Sequence, residues 1–296
     1  MKKSKISSLS AICVIALLSF TSAFSQEKAG GVKELKVLSF NIWGGGGKSA
    51  EETANVIKQT GADIVGIQEP SKNGVNTAEK IAADRKWYSH GGHIISRYPI
   101  VKAASNGRGC KIQIGDNRFV WMFNVHLMYC PYEPYQLNGI EYCGAPLLNT
   151  AEEAVASAWK TRGKVVEETI SDIKDAQKEG YPIFLTGDFN EPSCLDWTEK
   201  AVKAGICKIP VVWPSTKAFM EKAEMKDSYR IKYPDETAHK GHTWTTLPAK
   251  REVLDRIDFV FFHGNGVKPA DVQIVGENSD LSDIKFEKYP SDHRAV

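Results

Sequence analysis

Residues 182–190 read Pro-Ile-Phe-Leu-Thr-Gly-Asp-Phe-Asn. Pro182 to Thr186 has the length and apolar content of a buried strand, and the chain then turns polar at Asp188 and Asn190. The same form recurs on both sides. Lys36 to Asn41 alternates apolar and polar residues like a half-buried strand, and Asp63 to Gln68 reads as a buried strand that delivers Glu69. His93 to Ser96, Phe119 to His126 and Ile257 to Phe262 are further strands, each beside a polar residue. Helical patterns lie between them. One covers Glu51 to Gln59 and stops at Gly61; a long amphipathic one covers Ala151 to Lys178, with Gly163 as a weak point and Gly180 and Pro182 as its stop. Strands alternating with helices favour an α/β fold over a pure sandwich.

Tyr129 to Asn149 departs from this rhythm. It is rich in Tyr, Pro and Gly, follows the strand that ends at His126, and reads as a long ordered loop of the kind that carries recognition. With no internal repeat, low-complexity tract or linker, one domain is expected over residues 26–296.

The first 25 residues set the compartment. Lys2, Lys3 and Lys5 precede an apolar run from Leu9 to Phe20, and Ala23-Phe24-Ser25 offers small residues where a signal peptidase reads. The run is shorter than the ~20 residues of a spanning helix. A signal peptide over residues 1–25 and a secreted or periplasmic soluble product are therefore expected, with no stable membrane span. Of 38 Lys and Arg, three fall in this leader, which leaves 35 against 36 Asp and Glu. That balance argues against the basic stripe of a dedicated nucleic-acid binder.

Five cysteines follow the leader: Cys110, Cys130, Cys143, Cys194 and Cys207. Cys130 with Cys143 and Cys194 with Cys207 are the simplest local bridges, and fully reduced thiols are an equal alternative. No spacing among them resembles a zinc site.

Six stretches far apart in sequence place hydrogen-bonding or metal-binding residues at strand ends: Ser39-Phe40-Asn41, Gln68-Glu69, Asn124-Val125-His126, Gly187-Asp188-Phe189-Asn190, Asp255-Arg256-Ile257-Asp258 and Ser291-Asp292-His293. Their common position points to a shared cleft. Singly, each has a plainer reading: Asn41 as a turn residue, Asp188 and Asp292 as caps, His126 as a core histidine. Together they match the convergence of titratable groups that marks a site. Hard oxygen donors such as Glu69 and Asp292 suit Mg2+, Mn2+ or Ca2+. Gly44 to Lys48 imitates a phosphate-binding loop, but its required first glycine falls at Ile42, so these glycines read as a flexible turn at the cleft edge. Trp213, Trp244 and the loop tyrosines read either as a stacking platform or as packing. His239 and His242 have only a minor claim on substrate.

In order and spacing these motifs, with His93-Ile94-Ile95-Ser96-Arg97-Tyr98-Pro99-Ile100, resemble the endonuclease/exonuclease/phosphatase superfamily from Val37 to His293, nearly the whole chain after the leader. The resemblance implies the fold of pancreatic deoxyribonuclease, a four-layered α/β sandwich of two packed mixed β-sheets flanked by helices. It also implies roles. Glu69 would be the principal metal ligand, with Asn41 beside it and Asp292 helping; His293 would take a proton from the attacking water, oriented by Asp258; Asp188 and Asn190 would orient water and phosphate; His126 would donate to a phosphate oxygen. Only Arg294, Ala295 and Val296 follow His293, where the family usually continues; if the chain ends there, the strand carrying Asp292 and His293 is expected to be shortened.

The function expected is a secreted, metal-dependent phosphodiesterase or phosphatase, acting as a monomer on a lipid headgroup, sphingolipid or inositol phosphate. The alternatives are an extracellular nuclease acting on DNA or RNA and a non-catalytic binding protein that keeps the fold. Activity is expected to fall on the acid side as His293 protonates.

Overall fold

Four short strands form the first sheet of the computed structural model, which describes residues 34–277 and 279–296. Val37–Asn41 and Ile64–Gln68 run parallel, with Asn41 opposite Gln68, and the antiparallel strands Ile94–Ser96 and Tyr88–His90 continue the sheet outward. The second sheet has six strands in the spatial order Lys226–Asp227, Asp258–His263, Ile183–Asp188, Arg118–His126, Gly109–Gly115, Ile100–Ala103. Its centre pairs Ile183–Asp188 in parallel with Arg118–His126 and antiparallel with Asp258–His263. Asp188 is thereby opposite both His126 and Asp258.

Each sheet buries both faces, and helices supply the outer layers. Leu38, Phe40, Val65 and Ile67 pack against Val56 and Ile57 of the helix Ala50–Thr60 and against Ile81 of the helix Thr77–Arg85. On the far side Trp121, Phe123, Leu185 and Phe261 meet Val166, Ile170 and Ile173 of the helix Ala151–Gln177 and Phe219 of the helix Pro214–Ala223. Ile64, Ile94, Ile112, Val120 and Met122 fill the space between the sheets. The result is the four-layered α/β sandwich expected. Residues Glu34–Val296 form one compact unit. The predicted leader, residues 1–25, lies outside the described residues.

Towards the site the layer between the sheets turns polar. Asn124 accepts from Gln68 Nε2 at 2.6 Å and from Thr186 Oγ1 at 2.9 Å, and donates to the carbonyl of Ile67 at 2.9 Å. Ser39 Oγ accepts from the Gly187 amide at 3.1 Å. Leaving such groups unpaired would cost about 1–3 kcal/mol each, so the seam specifies how the sheets meet. Gly66 makes the approach feasible: a Cβ there would lie 1.9 Å from Thr186 Oγ1.

Several expectations change. Cys130 and Cys143 are bridged, whereas Cys194 and Cys207 are free: Cys194 Sγ sits 3.8 Å from Met220 Sδ, and Cys207 packs with Trp197 and Trp213. Gly163 is no weak point, because the helix runs unbroken and its bare Cα accommodates the indole of Trp159, which a Cβ would meet at 2.8 Å. The last residues pair with the first strand: Ser39 N donates to the Val296 carbonyl at 2.9 Å, and the Ser39 carbonyl accepts from Val296 N at 3.1 Å. Among the described residues, no helix is long and apolar enough to cross a membrane.

Candidate active site

Asp188 stands at the end of the central strand with both oxygens engaged. Its Oδ1 accepts from the backbone of Asn190 at 2.9 Å, and its Oδ2 accepts from Asn41 Nδ2 at 2.9 Å. Asn190 adopts φ 47°, a left-handed turn that swings its side chain to the cleft, where Nδ2 donates to the Leu127 carbonyl at 3.1 Å. Asn41 is fully buried beneath the cleft floor and donates also to Glu69 Oε1 at 3.3 Å, while its Oδ1 accepts from Trp43 N at 3.0 Å. In this arrangement the amide nitrogen of Asn41 faces the carboxylates, so Asn41 gathers Glu69 and Asp188 together.

Glu69 is held at φ 54°, immediately before Pro70. The glycine-rich turn accounts for this. Gly44 N donates to Glu69 Oε2 at 2.8 Å and Gly45 N to the Glu69 carbonyl at 2.8 Å. The turn is therefore a tight cradle, not the flexible edge expected: a Cβ on Gly45 would lie 2.6 Å from Lys72 Cβ. Glu69 Oε1 is left facing the cleft, 3.9 Å from His126 Nε2.

His293 Nδ1 lies 2.9 Å from Asp258 Oδ2, and its Nε2 lies 3.7 Å from Asp188 Oδ2. Asp258 is buried and fixes which ring nitrogen faces the cleft. Burial works against the charged imidazole of His293, but the Asp258 and Asp188 carboxylates outweigh it and raise the ring above its ordinary range. Burial pushes Asp292 up as well, His293 pulls against it, and Glu69 and Asp188 push it further.

The sequence-predicted residues converge on one cleft of about 380 Å3: Glu69, His126, Asp188, Asn190, Asp292 and His293 line it, and Asn41 and Asp258 sit directly behind. Trp244 is 4.9 Å from the His293 ring, but Trp213 is buried in the core under the Tyr-rich loop. His239 and His242 stay outside.

The other wall was only partly legible in the sequence. Tyr129, Tyr132, Tyr135 and Tyr142 come from the 129–149 loop, which a buried Arg162 anchors by donating to Glu133 Oε2 and the Pro131 carbonyl, both at 2.7 Å. Glu252 was missed, and Asp255, although part of the Asp255-Arg256-Ile257-Asp258 stretch, was not read as a support for the tyrosines. Glu252 Oε1 accepts from Tyr135 OH at 2.5 Å and from Trp244 Nε1 at 3.3 Å; Asp255 accepts from Tyr132 OH at 2.7 Å and from Trp197 Nε1 at 2.8 Å. No local motif announces such partners, which are more than a hundred residues from the tyrosines they hold.

The donor set fits a hard divalent cation. Glu69, Asp188 and Asp292 crowd one cleft, and none of its lining residues is Lys or Arg. Asp188, Asp258 and His293 also place ligand atoms within 4.8 Å of one another. That inner trio is fully buried and already joined by the His293–Asp258 hydrogen bond, so the open Glu69 side suits an ion better.

Comparison with known proteins accords with this geometry. The model of the endonuclease/exonuclease/phosphatase family matches residues 38–293. A Caenorhabditis elegans protein, uncharacterized protein F14F9.5, is 28% identical over 291 residues, covering 88% of this chain and 90% of its own. Two solved structures share the fold at low identity. An AP endonuclease from Archaeoglobus fulgidus superposes with TM-score 0.52 at 13% identity over 88% of this chain and 97% of its own. TDP2 from D. rerio, complexed with single-strand DNA product, gives TM-score 0.51 at 15% identity over 88% and 95%. Members of the matched family are typically metal-dependent hydrolases of phosphate esters. With the motifs in family order and their side chains gathered in one cleft, the chain belongs to the endonuclease/exonuclease/phosphatase family.

Proposed function

We propose that the protein is a divalent-metal-dependent phosphoesterase, with Mg2+ the first candidate ion, acting on a small phosphate ester or lipid headgroup. The observation that carries this reading is the cleft itself. It joins a His293–Asp258 pair to three carboxylates that no Lys or Arg among the lining residues neutralises. A phosphate dianion would be repelled there unless a cation bound with it. Glu69 and Asp292 would hold that ion, with Asp188 beside them and Asn41 keeping the carboxylates in place. The ion supplies charge neutralisation on the phosphate and leaving oxygens.

The remaining roles follow from the chain's own atoms. Asp258 keeps the proton on His293 Nδ1 and presents Nε2 to the cleft as general base for water. Asp188 and Asn190 orient that water and the phosphate, and His126 Nε2, 3.5 Å from Asp188, is placed to donate to a phosphate oxygen as charge develops. The bounded aromatic cleft favours a compact ester over a polynucleotide, which would need a basic track. The test is a panel of bis-p-nitrophenyl phosphate, phospholipid vesicles, inositol phosphates and plasmid DNA with each of Mg2+, Mn2+ and Ca2+. Cleavage of compact esters supports the reading; cleavage of plasmid alone replaces it with a nuclease.

The leader at residues 1–25 supports export of a monomeric single-domain enzyme comprising residues 26–296. Cell fractionation tests this: full-length chain retained in the cytoplasm would contradict it.

A further inference from the structure

The wall facing the catalytic groups is built almost wholly of aromatic rings. Tyr135 meets Tyr142 at right angles with centroids 5.5 Å apart, Tyr142 meets Tyr129 edge-on at 6.5 Å, and Trp43 and Trp244 face the same cleft. Perpendicular rings leave a box of faces, not one flat platform.

Three of the wall's polar tips are already spent. Tyr135 OH and Trp244 Nε1 both go to Glu252, and Tyr132 OH goes to Asp255. The phenols of Tyr129 and Tyr142, which line the same cleft, are not held in this way. What the wall offers throughout is π-faces, and the Tyr135 phenol, donating to a carboxylate, is electron-rich, which strengthens attraction for a cation. Elsewhere the protein caps its own aromatic faces with cations: Arg85 and Arg97 over Trp87, Lys111 over Tyr181, Arg256 over Tyr229. Among the described residues, no such contact involves the cleft rings.

We propose that Tyr129, Tyr135, Tyr142, Trp43 and Trp244 form a subsite for an organic ammonium group carried by the alcohol half of the phosphate ester. This rests on the phosphoesterase reading and narrows it to zwitterionic esters of the phosphocholine or phosphoethanolamine kind. The phosphate would face Glu69 and Asp292 with the cation they hold, and the ammonium would face the rings that line the same cleft.

The test compares kcat/KM for p-nitrophenylphosphorylcholine and for bis-p-nitrophenyl phosphate, with tetramethylammonium chloride, sodium chloride and glucose as competitors at equal concentration. The cationic ester should be preferred, and tetramethylammonium should compete where sodium chloride and glucose do not. In Tyr129→Leu/Tyr142→Leu the ratio of the two kcat/KM values should fall about tenfold, the effect of losing two cation–π contacts. Hydrolysis of both esters with no preference and no competition would overturn the subsite while leaving the phosphoesterase reading intact. Failure to cleave any ester would remove the phosphoesterase reading. Tryptophan fluorescence titrated with tetramethylammonium decides the subsite even then: saturable quenching, lost in the double variant, supports it, and its absence refutes it. Sphingomyelin and phosphatidylcholine vesicles, run beside glycerophosphocholine, tell a lipid headgroup from a free soluble ester.

Discussion

Asp258 touches nothing that reacts, yet it sets what His293 can do. Its Oδ2 receives Nδ1 at 2.9 Å, so Asp258→Asn should lower kcat by on the order of 10²–10⁴ with a modest change in KM, read by steady-state kinetics. An unchanged kcat would separate His293 from the chemistry. The same carboxylate, with Asp188, raises the ring above the ~6.5 of a free histidine. The base form is thus lost as pH falls through the raised value, and the acid limb of kcat/KM at saturating metal should lie above pH ~6.5 and move down in Asp258→Asn. A flat profile between about pH 5 and 9 contradicts this. The sign for stability is opposite. The raised value contributes stability that is complete below about pH 6.5 and fades as pH climbs through it. At this scale the sequence was legible where a polar residue ends an apolar run, as Asn41, Glu69, His126 and Asp188 do, while His293 declares itself through the Ser291-Asp292-His293 motif. Glu252 and Asp255 do not, because their partners are defined only by the closed fold.

The elements came through for the same reason. Apolar alternation marks Val37–Asn41 and a continuous apolar run marks Arg118–His126, each to within a residue, and the length of the amphipathic pattern marks Ala151–Gln177. How elements meet is another matter. Gly66 looks like a weakness inside a strand until the second sheet is laid on it. Gly66→Ala would drive a Cβ into Thr186 and should destabilise the protein by about 1–3 kcal/mol, measured by urea unfolding; a neutral result would mean that the polar seam is not close-packed. Arg162, buried among Glu133, Glu191 and the Pro131 carbonyl, pins the tyrosine loop to the long helix. Arg162→Ala leaves those acids without their cation and should cost about 3–5 kcal/mol in the same assay. Loss of the aromatic wall should follow, seen as a higher KM before any fall in kcat. A variant as stable as the parent would show that the loop is held by other contacts.

For the whole molecule, charge and topology act together. Two sheets converge so that strand ends from both deliver acids to one cleft, and no Lys or Arg is among its lining residues to balance them. The near-neutral composition after residue 25 gave a hint of this, but only the fold shows that the balancing cations are elsewhere, on Asp196, Asp227 and Glu277. The most direct test is hydrolysis of bis-p-nitrophenyl phosphate by the chelator-treated protein, before and after Mg2+ or Mn2+ is restored, for wild type and His293→Ala. The account predicts no turnover without metal, recovery with it, and no recovery in folded His293→Ala. Metal-independent hydrolysis, or a His293→Ala variant as active as the parent, would contradict it.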